Sequence, residues 1–230
     1  MLSFKTPMIC ASIMERSTSD FLRTAEDARS ADLVEIRADG IAGLSAGRLR
    51  KLIGAVKERT KKPVILTIRP RNEGGLFEGE EERANILMDC ASTADIVDLE
   101  LSMDRHARGR IMERAHTSII SHHDFSGTPS KQEMLNIVKR EFKEGADIAK
   151  VAVRAESAGD VMKLLNATKE ASTLGKVCMI AMGSEGRMSR IIAPVFGSVI
   201  TYGYVNRPTA PGQASVDELN TALQILGLRE

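Results

Sequence analysis

One lysine interrupts an otherwise apolar stretch of the chain, the run DIAKVAV at 147–153. Buried lysines are rare unless paired. Lys150 is therefore half of an ion pair with Glu35 or Glu100, a strand-end side chain snorkelling to solvent, or a nucleophile. In the last case, desolvation and cations such as Arg37 or Arg69 favour the neutral amine, which can attack a carbonyl carbon and form a Schiff base. His122 and His123 bring acid/base chemistry, since an imidazole titrates near ~6.5 and can both take and return a proton at neutral pH. Adjacent strand residues point to opposite faces, so only one of the two faces an interior, and parity alone does not say which. With Glu100 they could contribute to a metal site, but the chain has no helix-spaced HisXXXHis and no Asp-rich loop, so no metal is expected.

A second group of residues could hold an anion. Arg187 and Arg190 follow a glycine-containing turn, where a guanidinium can grip a carboxylate by two parallel hydrogen bonds; an exposed helix arginine is the competing reading. Gly183 and Gly186 give only a weak phosphate-cradle signal. The segment TAPGQ at 209–213 is irregular and long enough to fold over a cavity as a lid, or it is an ordinary surface loop.

The elements that must position these residues alternate along the whole chain. Strands are predicted at 8–13, 33–38, 64–69, 96–101, 118–123, 148–153, 177–182 and 198–202, several of them apolar on both faces as parallel strands covered by helices should be. Helical periodicity is predicted at 19–30, 45–60, 80–92, 104–115, 130–144, 158–172, 188–193 and 215–226. About eight strand–helix units close a (β/α)8 TIM barrel, read as one catalytic domain over 1–230. An open doubly wound sheet is the alternative, but no GxGxxG follows the first strand. In a barrel the carboxyl ends of the strands form the active face. Ser12, Glu35, Arg37, Arg69, Glu100, His122 and His123 all fall near such ends, and Lys150 lies within the sixth strand.

Composition narrows the partners. Lys and Arg number 32 against 31 for Asp and Glu, a balance without the basic field that a nucleic-acid backbone requires. Aromatics are 3% of the chain and Trp is absent, so base-stacking platforms are poorly supplied. Three widely spaced cysteines without CxxC spacing argue for reduced thiols. No run approaches the roughly 20 apolar residues of a membrane span, and no secretory leader is apparent. A small-molecule substrate, no nucleic acid, no membrane and a cytoplasmic location are the expectations.

Taken in order, EIRAD (35–39), TIRPRNEGG (67–75), SHHDF (121–125), DIAKVAV (147–153), MGSEGRMSR (182–190), FGS (196–198) and APGQ (210–213) make the chain resemble the type I 3-dehydroquinate dehydratase family over nearly its full length. The resemblance implies dehydration of 3-dehydroquinate to 3-dehydroshikimate through a lysine Schiff base, the third step of the shikimate pathway, without metal or organic cofactor. It implies that Lys150 forms the imine, His123 is the general acid/base and Glu73 orients the histidine. It further implies that Ser12, Glu35, Arg37, Arg69 and Thr209 bind substrate, Arg190 clamps its carboxylate, Gln213 contacts it from the lid, and Met182 and Tyr202 form an apolar wall. The family often has Ser where Thr209 stands and Phe where Tyr202 stands, so the second departure adds a hydroxyl. Segments around Asn72 and the first helix look short. Relatives are often dimers, which leaves a homodimer open. The rival readings are a class I aldolase-type barrel, which would cleave or form a carbon–carbon bond, and a catalytically silent barrel that binds a carboxylated metabolite.

Overall fold

Eight apolar runs become eight parallel strands in a computed structural model that describes residues 7–230: β1 Met8–Ile13, β2 Leu33–Arg37, β3 Val64–Thr67, β4 Ile96–Glu100, β5 Ser118–Asp124, β6 Ile148–Arg154, β7 Val177–Met182 and β8 Ile200–Tyr204. The helices that follow them are α1 Thr18–Glu26, α2 Ala46–Thr60, α3 Glu80–Cys90, α4 Arg105–Met112, α5 Lys131–Lys143, α6 Ala158–Ala171, α7 Ser189–Ile192 and α8 Val216–Ile225. Hydrogen bonding runs β8-β1-β2-β3-β4-β5-β6-β7, and a bridge between Val177 and Ser198 joins the two ends. This is the TIM barrel that the alternation predicts.

Strand alternation divides the apolar residues between two cores. Outward residues such as Ile9, Val34, Leu66 and Leu99 pack with the helices, while Cys10, Leu33, Ile65, Ile96, Ile119, Ile148 and Cys178 fill the barrel interior. Two residues further along each of these strands, the inward position is polar on six of the eight: Ser12, Glu35, Thr67, Asp98, Ser121 and Lys150, all buried. The interior thus changes from hydrocarbon to ionic within one pleat, and the ionic layer lies at the carboxyl ends.

Several boundaries differ from the sequence reading. Helix α1 starts at Thr18, one residue before the predicted start at 19, because Ser17 is the cap, accepting from the Asp20 N–H at 3.1 Å. The predicted helix 188–193 shortens to the four residues of α7 between 3-10 turns, with Pro194 at the start of the second, since proline has no N–H to continue an α-helix. Strand β8 begins at Ile200 rather than 198, Ser198 making only the closing bridge. Strand β3 ends at Thr67, which leaves Arg69 beyond it, its N–H donating to the Asp39 carboxylate at 3.2 Å.

The turn after β3 carries Glu73 and tolerates no side chain at Gly75, whose N–H donates to the Pro70 carbonyl at 2.9 Å and where a Cβ would lie 2.0 Å from the Arg69 carbonyl oxygen. Gly75→Ala is expected to lower stability by about 1–3 kcal/mol, the usual range for overpacking. An unchanged urea midpoint would contradict that turn geometry.

Candidate active site

The ionic layer is organised around Asp98, which sequence reasoning missed. Its carboxylate receives Lys150 Nζ at 2.7 Å, Arg69 Nη2 at 2.9 Å and the Ser121 hydroxyl at 2.6 Å, with no exposed surface of its own. The lysine's partner is therefore neither Glu35 nor Glu100, as the sequence reading had it. Glu100 is occupied by Arg69 at 2.6 Å and by Arg83 from α3, and Glu35 accepts from Ser12 and, at 2.8 Å, from Thr67. Burial alone would push the Asp98 carboxyl up, but Arg69 and Lys150 outweigh it and hold the group well below the usual carboxylate range. The signal that could have found Asp98 was parity with Glu100, two residues on and so on the same face.

His123 turns inward and His122 outward. His123 Nδ1 lies 2.9 Å from Glu73 Oε2, and the second oxygen of Glu73 accepts the Ser102 hydroxyl. Burial, reinforced by Arg69 and Lys150, pushes the His123 imidazole well below its ordinary value, so the ring is neutral. Burial pushes the Glu73 carboxyl up to about 7, against the opposing effect of the Ser102 hydrogen bond. An ionised Glu73 accepts Nδ1–H and leaves Nε2 as the ring's proton acceptor. His122, half-buried on the outside, is pushed down chiefly by burial. Among the described residues no cluster of three or more His, Cys, Asp or Glu converges to hold a metal ion.

Of the two candidate arginines, Arg187 is exposed and pairs with Glu218 at 3.0 Å, whereas Arg190 is buried in the barrel mouth. Arg190 donates to the carbonyls of Gly212 at 3.1 Å, Tyr202 at 3.3 Å and Pro211 at 3.2 Å. A guanidinium has five N–H donors, so donors remain, and no carboxylate pairs with it among the described residues. Burial lowers its pKa to about 10. The 209–213 segment is folded over the mouth: Gln213 Oε1 accepts from the Thr209 N–H at 2.7 Å, and the Thr209 hydroxyl donates to Ser12 at 2.7 Å. Gly212, at φ +70°, packs so closely that a Cβ would meet the Gly183 carbonyl oxygen at 2.0 Å. Gly183 and Gly186 thus serve backbone packing, with a Cβ at Gly186 lying 2.4 Å from the Ala181 carbonyl oxygen.

All twelve residues to which the resemblance gives a role line one cavity: Ser12, Glu35, Arg37, Arg69, Glu73, His123, Lys150, Met182, Arg190, Tyr202, Thr209 and Gln213, whereas Glu100, His122 and Arg187 do not. Gly74 and Phe125 line it too. Arg37 is held by Asp39 at 2.8 and 2.9 Å. The Tyr202 ring lies under Lys150 Nζ, 4.3 Å from its centroid, a cation–π contact, while its hydroxyl is buried without a partner among the described residues. The cavity combines an amine, a neutral imidazole with its carboxylate, and a guanidinium with donors to spare, the components for acting on a carbonyl compound that also carries an anionic group.

The family model for type I 3-dehydroquinase matches residues 9–230. The 3-dehydroquinate dehydratase of Methanocella arvoryzae is 42% identical, with 88% of this chain and 90% of that protein covered. The crystal structure of 3-dehydroquinate dehydratase from Geobacillus kaustophilus superposes with a TM-score of 0.90 at 33% identity, covering 96% of this chain and 91% of that one. A type I 3-dehydroquinate dehydratase from Clostridium difficile, solved with covalently modified comenic acid, gives 0.89 at 27% identity over 96% and 92% of the two chains.

Removing one partner from a buried ion pair leaves an uncompensated charge and costs about 3–5 kcal/mol. Asp98→Asn is expected to lose stability in that range, measured by urea denaturation, whereas a loss under 1 kcal/mol would deny Asp98 its central place.

Proposed function

The chain belongs to the type I 3-dehydroquinase family, whose activity is that of a hydro-lyase, and from that premise we propose that it dehydrates 3-dehydroquinate to 3-dehydroshikimate through an imine on Lys150, as the third step of the shikimate pathway. The observation that carries the reading is the placing of Lys150 and the Glu73–His123 pair on one cavity closed by the Arg190-bound lid. The Clostridium difficile relative, solved with covalently modified comenic acid, is in keeping with a covalent reading.

The substrate's carboxylate meets Arg190, whose remaining donors can form two parallel hydrogen bonds. Its ring hydroxyls meet Glu35, Arg37, Arg69, Ser12, Thr209 and Gln213, and its apolar face meets Met182 and Tyr202. Lys150 gives up its proton and its nitrogen adds to the ketone carbon. The ketone oxygen takes up protons and leaves as water, and a protonated imine remains. Neutral His123 Nε2 then removes a proton from the adjacent carbon, and the electron pair moves into the imine nitrogen to give an enamine. The enamine expels the hydroxyl as His123 returns the proton to it, so a second water departs and a conjugated imine forms. A water molecule hydrolyses that imine, restoring the amine and freeing the product. General acid/base assistance supplies ~10²–10⁴-fold of the rate, with covalent activation and positioning supplying the rest. The imine is itself the electron sink, so the reading calls for no metal or organic cofactor, and we place the reaction in the cytoplasm.

Lys150→Ala is expected to abolish turnover while keeping the far-ultraviolet circular dichroism of the wild type. Borohydride added with 3-dehydroquinate should leave a mass adduct that maps to Lys150, and product without an adduct would overturn the covalent step. The pH dependence follows from Glu73. Its carboxyl titrates above its ordinary 4.5, at about 7, so the ionised form is lost as the pH falls through that value. A protonated Glu73 would donate to Nδ1 and place the imidazole proton on Nε2, where it blocks the base. The kcat/KM is therefore expected to fall on the acid side of about pH 7, and a profile flat down to pH 5 would contradict this coupling.

A further inference from the structure

Glu73 has two faces. Its Oε2 meets His123 on the cavity side, and its Oε1 accepts the hydroxyl of Ser102, from the loop after β4. Ser102 does not line the substrate cavity. It is solvent-exposed and lines a separate groove on the outside of the barrel rim, together with Phe77, Arg83, Asp104 and Arg110. A hydrogen-bonded line therefore runs from the substrate cavity through His123 and Glu73 to a surface that substrate and lid leave open.

We propose that Ser102 is a positioning residue for the acid/base pair, its hydroxyl holding Glu73 as the ionised acceptor of the His123 Nδ1–H from a solvent groove outside the substrate cavity. The inference rests on reading Glu73 and His123 as that pair. A hydrogen bond donated to a carboxylate favours its charged form, and here it opposes the burial that pushes Glu73 up. The other groups around Glu73 do not replace it. Asp98 and Glu100 from β4 and Glu141 from α5 all favour the protonated acid, and Arg69, the cation beyond β3 that opposes them, is already bound by Asp98 and Glu100. The hydroxyl also fixes the carboxylate plane, so that one oxygen is free to face the ring.

The test is a pH–rate series on Ser102→Ala, Ser102→Thr and Glu73→Gln, with Ser102→Ala also made in the Glu73→Gln background. Ser102 is exposed, so its alanine variant is expected to fold as the wild type does. A hydrogen bond to a charged group is worth about one pH unit. Ser102→Ala should therefore move the acid limb of kcat upward by about one unit, a roughly tenfold loss on that limb, with KM unchanged. Ser102→Thr, which keeps the hydroxyl, should restore the profile. In the Glu73→Gln background the alanine change should add nothing, because the two residues act through one hydrogen bond. If Glu73→Gln is impaired but Ser102→Ala lowers kcat equally at every pH or leaves it unchanged, the inference about Ser102 fails alone. If Glu73→Gln is fully active, the acid/base pair fails, and the inference with it.

Discussion

Two buried cations and one carboxylate with no exposed surface fix the interior of this barrel. Desolvating each charge costs several kcal/mol, and Asp98 offsets that cost by meeting Lys150, Arg69 and Ser121 at once. Residues from β4, β5 and β6 and from just beyond β3 are thereby tied at the level where the chemistry is placed. The same contacts set the position of the lysine nitrogen, because a side chain with four flexible bonds has few other ways to satisfy its charge inside a barrel. Arg69 extends the network to Glu100, and Arg83 carries it out to α3.

Below this layer the interior is hydrocarbon. The division lets the two ends of the barrel answer to different constraints: packing at the bottom and electrostatics at the top. It also explains why a site so rich in charge is tolerated, since six of the eight strands contribute an apolar inward residue before a polar one. The lid adds a third constraint. Arg190 is held by lid carbonyls rather than by a carboxylate, so the group proposed to receive the substrate's anion is also the group that holds the cover in place.

Much of this was legible in the sequence, and what was not has physical reasons. Strand and helix periodicity gave the barrel because both faces of each strand are buried, a pattern that exposed strands do not have. Lys150 stood out because a charge within an apolar run needs a partner. Its partner was passed over because Asp98 sits in a strand already marked by Glu100, and the shared face of the two was not drawn out. The choice between His122 and His123 needs the phase of the strand, which its neighbours alone do not fix. Ser102 carried no signal at all: an exposed serine in a loop is ordinary until the fold brings a turn from 29 residues earlier in the chain against it. Helix ends went astray where a serine two residues upstream made the better cap and where Pro194 cut α7 short.

Closure of the barrel has a temporal consequence. The lid residue Thr209 bonds Ser12 across 197 residues of chain, and β8, which supplies Tyr202 and the carbonyl that holds Arg190, pairs with β1. Contacts of such sequence separation form late, since loop closure must come first. In a chain emerging from the ribosome, His123 and Lys150 are both made before Ile200–Tyr204, the strand that walls them in. The cavity that encloses the amine and the imidazole is therefore complete only once the last strand has docked on the first.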